Sequence, residues 1–295
     1  MKKLFVFAVI GLLAQLIDGA LGMAYGVTSS SLLLAFSIAP AVASASVHLA
    51  EVVTTAASGV SHIKFGNVDK QTVYRLIIPG SIGAFLGATF LSNLPGDLAK
   101  PYISLFLLLL GVYVLIRFLF RFQQTGEKKG VNLTIKQSIP LGLIAGFADA
   151  SGGGGWGPVT TPVLLAKKGI SPRKVVGTVD TSEFAIAVSA TIGFFISLGW
   201  EDVNWLWVGA LMAGGLIAAP IAAWLVRKLP AQLMGVLVGG FIILVNARTL
   251  LNTWIEDTNV YPYIYVGISA IWVAAIVYTI SKLQSYRSLN PDINV

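Results

Sequence analysis

Phe147-Ala-Asp-Ala-Ser-Gly-Gly-Gly-Gly-Trp-Gly-Pro158 sets four consecutive glycines, Gly152 to Gly155, inside a chain that otherwise reads as greasy helix. Each glycine costs about 1 kcal/mol against alanine in a helix interior. An unbroken membrane helix would not carry four. Asp149 stands just before the glycines and Pro158 just after them, where proline is well placed to open a helix. The stretch therefore predicts a helix broken at membrane depth, with backbone amides freed to hold something.

The same pattern occurs earlier. Gly11, Leu12, Ala14, Asp18, Gly22 and Gly26 fall on Gly142, Leu143, Ala145, Asp149, Gly153 and Gly157, and Tyr25 falls on Trp156. One residue of slip later, Ile38, Pro40 and Glu51 fall on Ile170, Pro172 and Glu183. The chain is read as a duplication. Its start, Met1-Lys-Lys-Leu4 and the apolar run behind it, is then half of a repeated core rather than a secretory leader.

The bulk composition agrees with a membrane protein. Of 295 residues, 56% are hydrophobic and 11% charged, where soluble domains carry about 25% charged residues. Several apolar runs reach the roughly 20 residues of a bilayer span. The net charge of +7 comes from basic residues grouped between apolar runs, so it does not indicate nucleic acid. With no cysteine, disulfides and thiol chemistry are excluded, and two histidines cannot build a histidine-rich metal site. No strand context surrounds the glycines and no Gly-Lys-Ser/Thr loop exists, so neither a dinucleotide fold nor ATP hydrolysis is expected. The chain is not expected to be an enzyme.

The predicted fold is an all-α polytopic membrane protein. Residues 1–122 form a first repeat and 123–136 a basic cytoplasmic linker. Residues 137–250 form a second repeat, and 251–295 a last transmembrane helix with a short cytoplasmic tail. In the first copy, segments 4–17 and 27–38 flank a break at 18–26, followed by spans at 42–63, 73–93 and 101–121. In the second, segments 137–148 and 158–168 flank a break at 149–157, followed by spans at 174–198, 204–226 and 232–250. The last span is 261–281. Half-segments of 11 to 14 residues give about 16–21 Å of helix, short of the roughly 30 Å core. Arg117, Arg121, Lys128, Lys129 and Lys136 precede the second break, and Lys167, Lys168, Arg173 and Lys174 follow it. Both runs should be cytoplasmic, which a re-entrant hairpin permits. Counting from there, each copy becomes a broken hairpin plus three spans, and the copies are inverted, a transporter arrangement. The other reading has the first segment crossing once as an unwound helix.

These motifs resemble a known family. The doubled glycine-rich breaks, Val176-Gly-Thr-Val-Asp-Thr-Ser-Glu-Phe184 and Ala43-Ser-Ala-Ser-Val-His-Leu-Ala-Glu-Val52 are similar to those of the TauE/SafE sulfite exporters, also called the four-toluene-sulfonate uptake permeases. The resemblance runs to about residue 281. It implies a secondary transporter, in the cell membrane, of small sulfur- or carboxyl-containing anions such as sulfite, sulfoacetate or other organosulfonates. Members differ in substrate and direction.

Five acids lie at membrane depth, namely Asp18, Glu51, Asp149, Asp180 and Glu183, with no lysine or arginine in the spans beside them. Charge at that depth is expensive and marks a cavity or a partner. His48 shares a helix face with Glu51, and Asp180 with Glu183. These six are the candidate proton-coupling residues; a coupling proton or sodium ion is the only cofactor expected. The candidate anion cradle is Gly22, Tyr25, Gly26, Thr28 and Ser29 from the first copy and Gly153, Gly154, Gly155, Trp156, Gly157, Thr160 and Thr178 from the second. Thr161 is beside it, and Ser44, Ser46, Thr54, Thr55, Ser58, Thr181 and Ser182 are further hydroxyls. Helix N-termini suit anions, and the four glycines make the second tip the expected closer backbone contact. Partners are the small anion and the bilayer, with room for a homodimer and none for nucleic acid.

Blander readings stand beside these. Asp18 and Asp149 could cap the broken helices. Glu51 and Glu183 could brace the hairpin backbones, and Tyr25 and Trp156 could be packing residues. His62 reads as interfacial, Trp200, Trp205, Trp207 and Trp254 as an aromatic belt, and Gly80, Gly83, Gly87, Gly209, Gly214 and Gly215 as helix-packing positions. A passive anion channel would use the same cradle.

Overall fold

The computed structural model describes residues 2–21, 23–120, 133–165, 172–201, 203–225 and 231–289. Gly22, the basic run at 121–132, Lys167, Lys168, Asp202, Arg227 and Lys228 lie outside them. The helices are α1 (Lys2–Leu21), α2 (Tyr25–Ala35), α3 (Pro40–Lys64), α4 (Lys70–Ser92), α5 (Gly96–Phe120), α6 (Ile135–Gly152), α7 (Trp156–Leu165), α8 (Pro172–Leu198), α9 (Trp205–Leu225), α10 (Ala231–Trp254) and α11 (Tyr261–Leu289). Among the described residues all regular structure is helical. Five segments are long and apolar enough to cross a membrane, at Lys70–Ser92, Gly96–Phe120, Lys174–Leu198, Gly235–Trp254 and Thr258–Ser285. The architecture is that of an all-helical polytopic membrane protein. α3 is 25 residues long but outside that set. It carries Ser44, Ser46, His48, Glu51, Thr54 and Thr55, all buried in the protein interior.

Both breaks are shorter than the sequence predicts. α1 continues through Asp18 to Leu21, and α6 through Asp149 to Gly152. Only three residues then separate α1 from α2 and α6 from α7. The reason is local. Gly153 caps α6 in the left-handed region (φ 74°), and its amide donates to the Asp149 carbonyl. The Gly154 amide donates to the same carbonyl at 2.9 Å. The helical hydrogen bonds thus persist past the acid. In the first break Ala24 holds φ 103°, a region that glycine favours. The arms are consequently unequal, 20 and 11 residues in the first pair and 18 and 10 in the second.

The first pair doubles back. The Phe7 ring lies 6.4 Å from Phe36, just past α2, and 5.1 Å from Trp207 in α9. Lys3, Val6, Phe7, Phe36, Ile38 and Trp207 line one groove. The start of α1 therefore shares an end of the molecule with the start of α9. At the opposite end, the Asp69 amide donates to Thr178 Oγ1 at the foot of α8, and Arg75 bonds the Leu133 carbonyl just before α6.

Glycines bring these arms against the spans. α1 packs along α9 and α6 along α4, while α3 faces α8 and α5 faces α10. A Cβ on Gly83, Gly87 or Gly146 would strike the backbone carbonyl of Leu143, Phe147 or Gly80, and one on Gly11 or Gly214 that of Leu211 or Ala8. Such contacts let helices approach to backbone distance. Gly80 and Gly215 are also crowded, by Trp156 and Thr54. Gly209 differs from expectation, because a Cβ there meets nothing within 4 Å.

Candidate functional site

The two breaks touch each other. A Cβ placed on Gly26 would lie 2.8 Å from the Gly154 Cα, 3.2 Å from Glu51 Oε1 and 3.3 Å from the Gly153 carbonyl. Gly153 faces the Ser30 side chain, and Gly154 faces the Val27 amide. Glycine is needed at Gly154 for a second reason, its φ of 145°. The tip of the second pair is thus seated on the first turn of α2.

Asp149 closes the N-terminus of α7. Its Oδ1 accepts from the Gly155 amide at 2.7 Å and the Trp156 amide at 2.9 Å. These are amides that the sequence offers to an anion, so at α7 an internal carboxylate fills the role. Asp18 does this less tightly at α2, accepting from the Tyr25 amide at 3.4 Å. Gly157 lies in the first turn of α7, and Thr160 donates to the Trp156 carbonyl at 2.5 Å.

His48 pairs with Asp149, not with Glu51. Its Nε2 is 3.2 Å from Asp149 Oδ2, and its Nδ1 is 2.8 Å from the Ser44 carbonyl. A carbonyl only accepts, so Nδ1 carries a hydrogen. One further proton then sits between Nε2 and Oδ2. The pair bridges α3 and α6, and Ser44 Oγ strengthens it by donating to the Ala150 carbonyl at 2.7 Å.

Other predicted residues are engaged in the scaffold. Thr178 accepts from Asp69 at 2.9 Å, away from the tips. Thr55 and Thr181 donate to their own helices, as do Ser46 and Ser182. The Trp156 indole donates to the Val179 carbonyl and Ser182 Oγ at 3.2 and 3.1 Å, is fully buried, and packs on Gly80. It is a packing residue between α7 and α8. His62 is not simply interfacial, since its Nε2 lies 3.9 Å from Asp180 Oδ2.

What remains is a set of buried polar atoms with no hydrogen-bond partner. These include Tyr25 Oη, Thr28 Oγ1, Ser29 Oγ and Ser30 Oγ on the first turns of α2, Thr161 Oγ1 on α7, and both oxygens of Glu51. Buried polar groups are ordinarily satisfied, so such a concentration beside the two breaks calls for a ligand, water or ion. Ser31 is held by Asn246 of α10, whose amide nitrogen donates to Ser31 Oγ at 2.7 Å while its Oδ1 is buried and unpartnered. The sequence reading missed Ser30 and Asn246. Ser30 was legible in the run Thr28-Ser-Ser-Ser31. Asn246 was not, because only the fold brings α10 beside α2. Separately, one oxygen from each of Asp18, Asp180 and Glu183 lies within 4.8 Å of the others.

The family described as sulfite exporter TauE/SafE matches residues 7–249. The probable membrane transporter protein YtnM of Bacillus subtilis is 77% identical over 295 residues, covering 100% of this chain and 98% of that one. YunE of the same organism, also named a probable membrane transporter protein, is 24% identical over 83% of this chain and 96% of its own. The probable membrane transporter protein y4hK of Sinorhizobium fredii is 27% identical over 58% of this chain and 71% of its own. No solved structure matches. The chain belongs to the sulfite exporter TauE/SafE family of membrane transporters.

Proposed function

We propose that this protein is a secondary active transporter of small sulfur-containing anions, sulfite or an organosulfonate, in the cell membrane. The anion binds where the two breaks meet, against the first turns of α2. The observation that carries this is the group of buried, unpartnered hydroxyls of Tyr25, Thr28, Ser29 and Ser30. Hydroxyls donate to an oxyanion without bringing a charge, and the α2 N-terminus adds the positive end of a helix dipole. Gly26 and Gly153 to Gly155 set the closeness of the tips, and Trp156 holds α7 in place.

Transport is coupled to protons through Glu51. Both of its oxygens are buried beside Gly26 without a partner, a setting in which a carboxyl is tolerated as the neutral acid and can donate to the anion. Residues 1–122 and 137–250 act as inverted repeats around the site, joined by the cytoplasmic linker 123–136, with 251–295 as an appended helix and tail. Exchange of each helix for its counterpart leaves the main contacts in place, which supports this reading. The His48–Asp149 pair belongs to the frame and not to the moving proton.

Uptake into liposomes is the test. A pH gradient should drive accumulation of a sulfonate or sulfite above its equilibrium level, and Glu51→Gln should abolish that drive. Flux that only follows the electrochemical gradient would make the protein a channel. Flux of Glu51→Gln with unchanged pH dependence would end the assignment of Glu51.

A further inference from the structure

Asp18 comes from the first repeat and Asp180 and Glu183 from the second, yet their carboxylates converge. One oxygen from each lies within 4.8 Å of the other two, and all three residues are buried. Two observations point to a ligand there. Glu51, 1% exposed and within electrostatic reach of Asp18 and Glu183, leaves both oxygens without a hydrogen bond. The basic groups nearby are also inadequate. His48 is engaged with Asp149, His62 stands 3.9 Å from Asp180 at the rim, and Asp180 Oδ2 is itself buried and unbonded. Among the described residues no lysine or arginine pairs with any of these acids.

We propose that Asp18, Asp180 and Glu183 form a sodium site. The donor set is all oxygen, which selects a hard cation. An ion with bonds of about 2.3–2.6 Å can reach three oxygens that lie this close together. A monovalent ion suits a carrier, because Ca²⁺ on three carboxylates away from water would leave slowly. The site ties α1 to α8, and Asp18 also accepts from the first amide of α2. Sodium would therefore fix the α2 N-terminus, and by linkage it should tighten anion binding there as much as the anion tightens sodium. This coupling rests on the transporter reading above; the sodium site itself does not.

The test uses the purified full chain in detergent with no sulfonate, sulfite or carboxylate present. Thermal unfolding is followed as NaCl replaces choline chloride at constant ionic strength, with KCl and CaCl₂ arms. The expected result is a saturable rise of several degrees with Na⁺ only, lost in both Asp180→Asn and Glu183→Gln. Two variants are used so that one failing to fold does not decide the matter. The proposal is overturned if Na⁺ gives no more than K⁺, if Ca²⁺ gives the saturable rise instead, or if a folded variant keeps the wild-type Na⁺ response. A failed sulfonate or proton assignment would leave this result untouched, because no transported anion enters the measurement.

Discussion

At the scale of single residues, Gly154 bears the closest contact between the breaks. A methyl group there would collide with the Val27 amide and the Gly26 carbonyl carbon, and φ 145° is denied to alanine. Gly154→Ala should lose most of the folded, monodisperse protein, while Gly209→Ala, facing open space, should unfold at or slightly above the wild-type temperature. Size-exclusion chromatography and a thermal melt of each variant compare them. Asp149 is a second such position, since it holds two amides and His48 at once. Asp149→Asn should destabilise by about 1–3 kcal/mol, read as a lower melting temperature. Sequence spacing identified both residues. It did not identify the partner of His48, because the i, i+3 neighbour Glu51 is visible along the chain and Asp149, 101 residues away, is visible only in the fold.

At the scale of elements, the two broken pairs are related but not alike. The sequence points to the glycine-rich second tip as the closer anion contact. In the structure that tip is filled from within, since Asp149 takes the α7 amides and Gly153 and Gly154 lie against α2. The unpartnered hydroxyls are instead mainly on α2. Thr28→Val and Ser30→Ala should each weaken anion binding about tenfold, roughly the loss of one hydrogen bond to a charged group. Thr178→Val, whose hydroxyl accepts from the Asp69 amide, should leave affinity unchanged. Isothermal titration separates them. The positions of the helices were legible from hydropathy and proline. The inner ends of the breaks were not, because Asp18 and Asp149 look like break residues while their backbones still complete the preceding helix.

At the scale of the molecule, α1 packs on α9 as α6 packs on α4, and α3 meets α8 between them. The pairing of α1 with α9 and of α4 with α6 was not readable in the sequence, since it depends on glycine faces such as Gly83 with Leu143 and Gly214 with Ala8. The chain start shares an end with Trp207, opposite the Asp69–Thr178 contact. A cysteine placed at Lys3 should therefore react from the same side of the membrane as one at Asn204, and from the side opposite one at Lys70.

The proposed site seats an oxyanion against the first turns of α2, where the two breaks meet. It is tested most directly by the melting temperature of the purified protein across a panel of sulfite, sulfonates, carboxylates and chloride, measured for the wild type and for Ser30→Ala. A saturable rise is expected with at least one sulfur oxyanion, shifted to higher concentration in Ser30→Ala. No rise with any of these anions, or a rise that Ser30→Ala leaves unaltered, would contradict it.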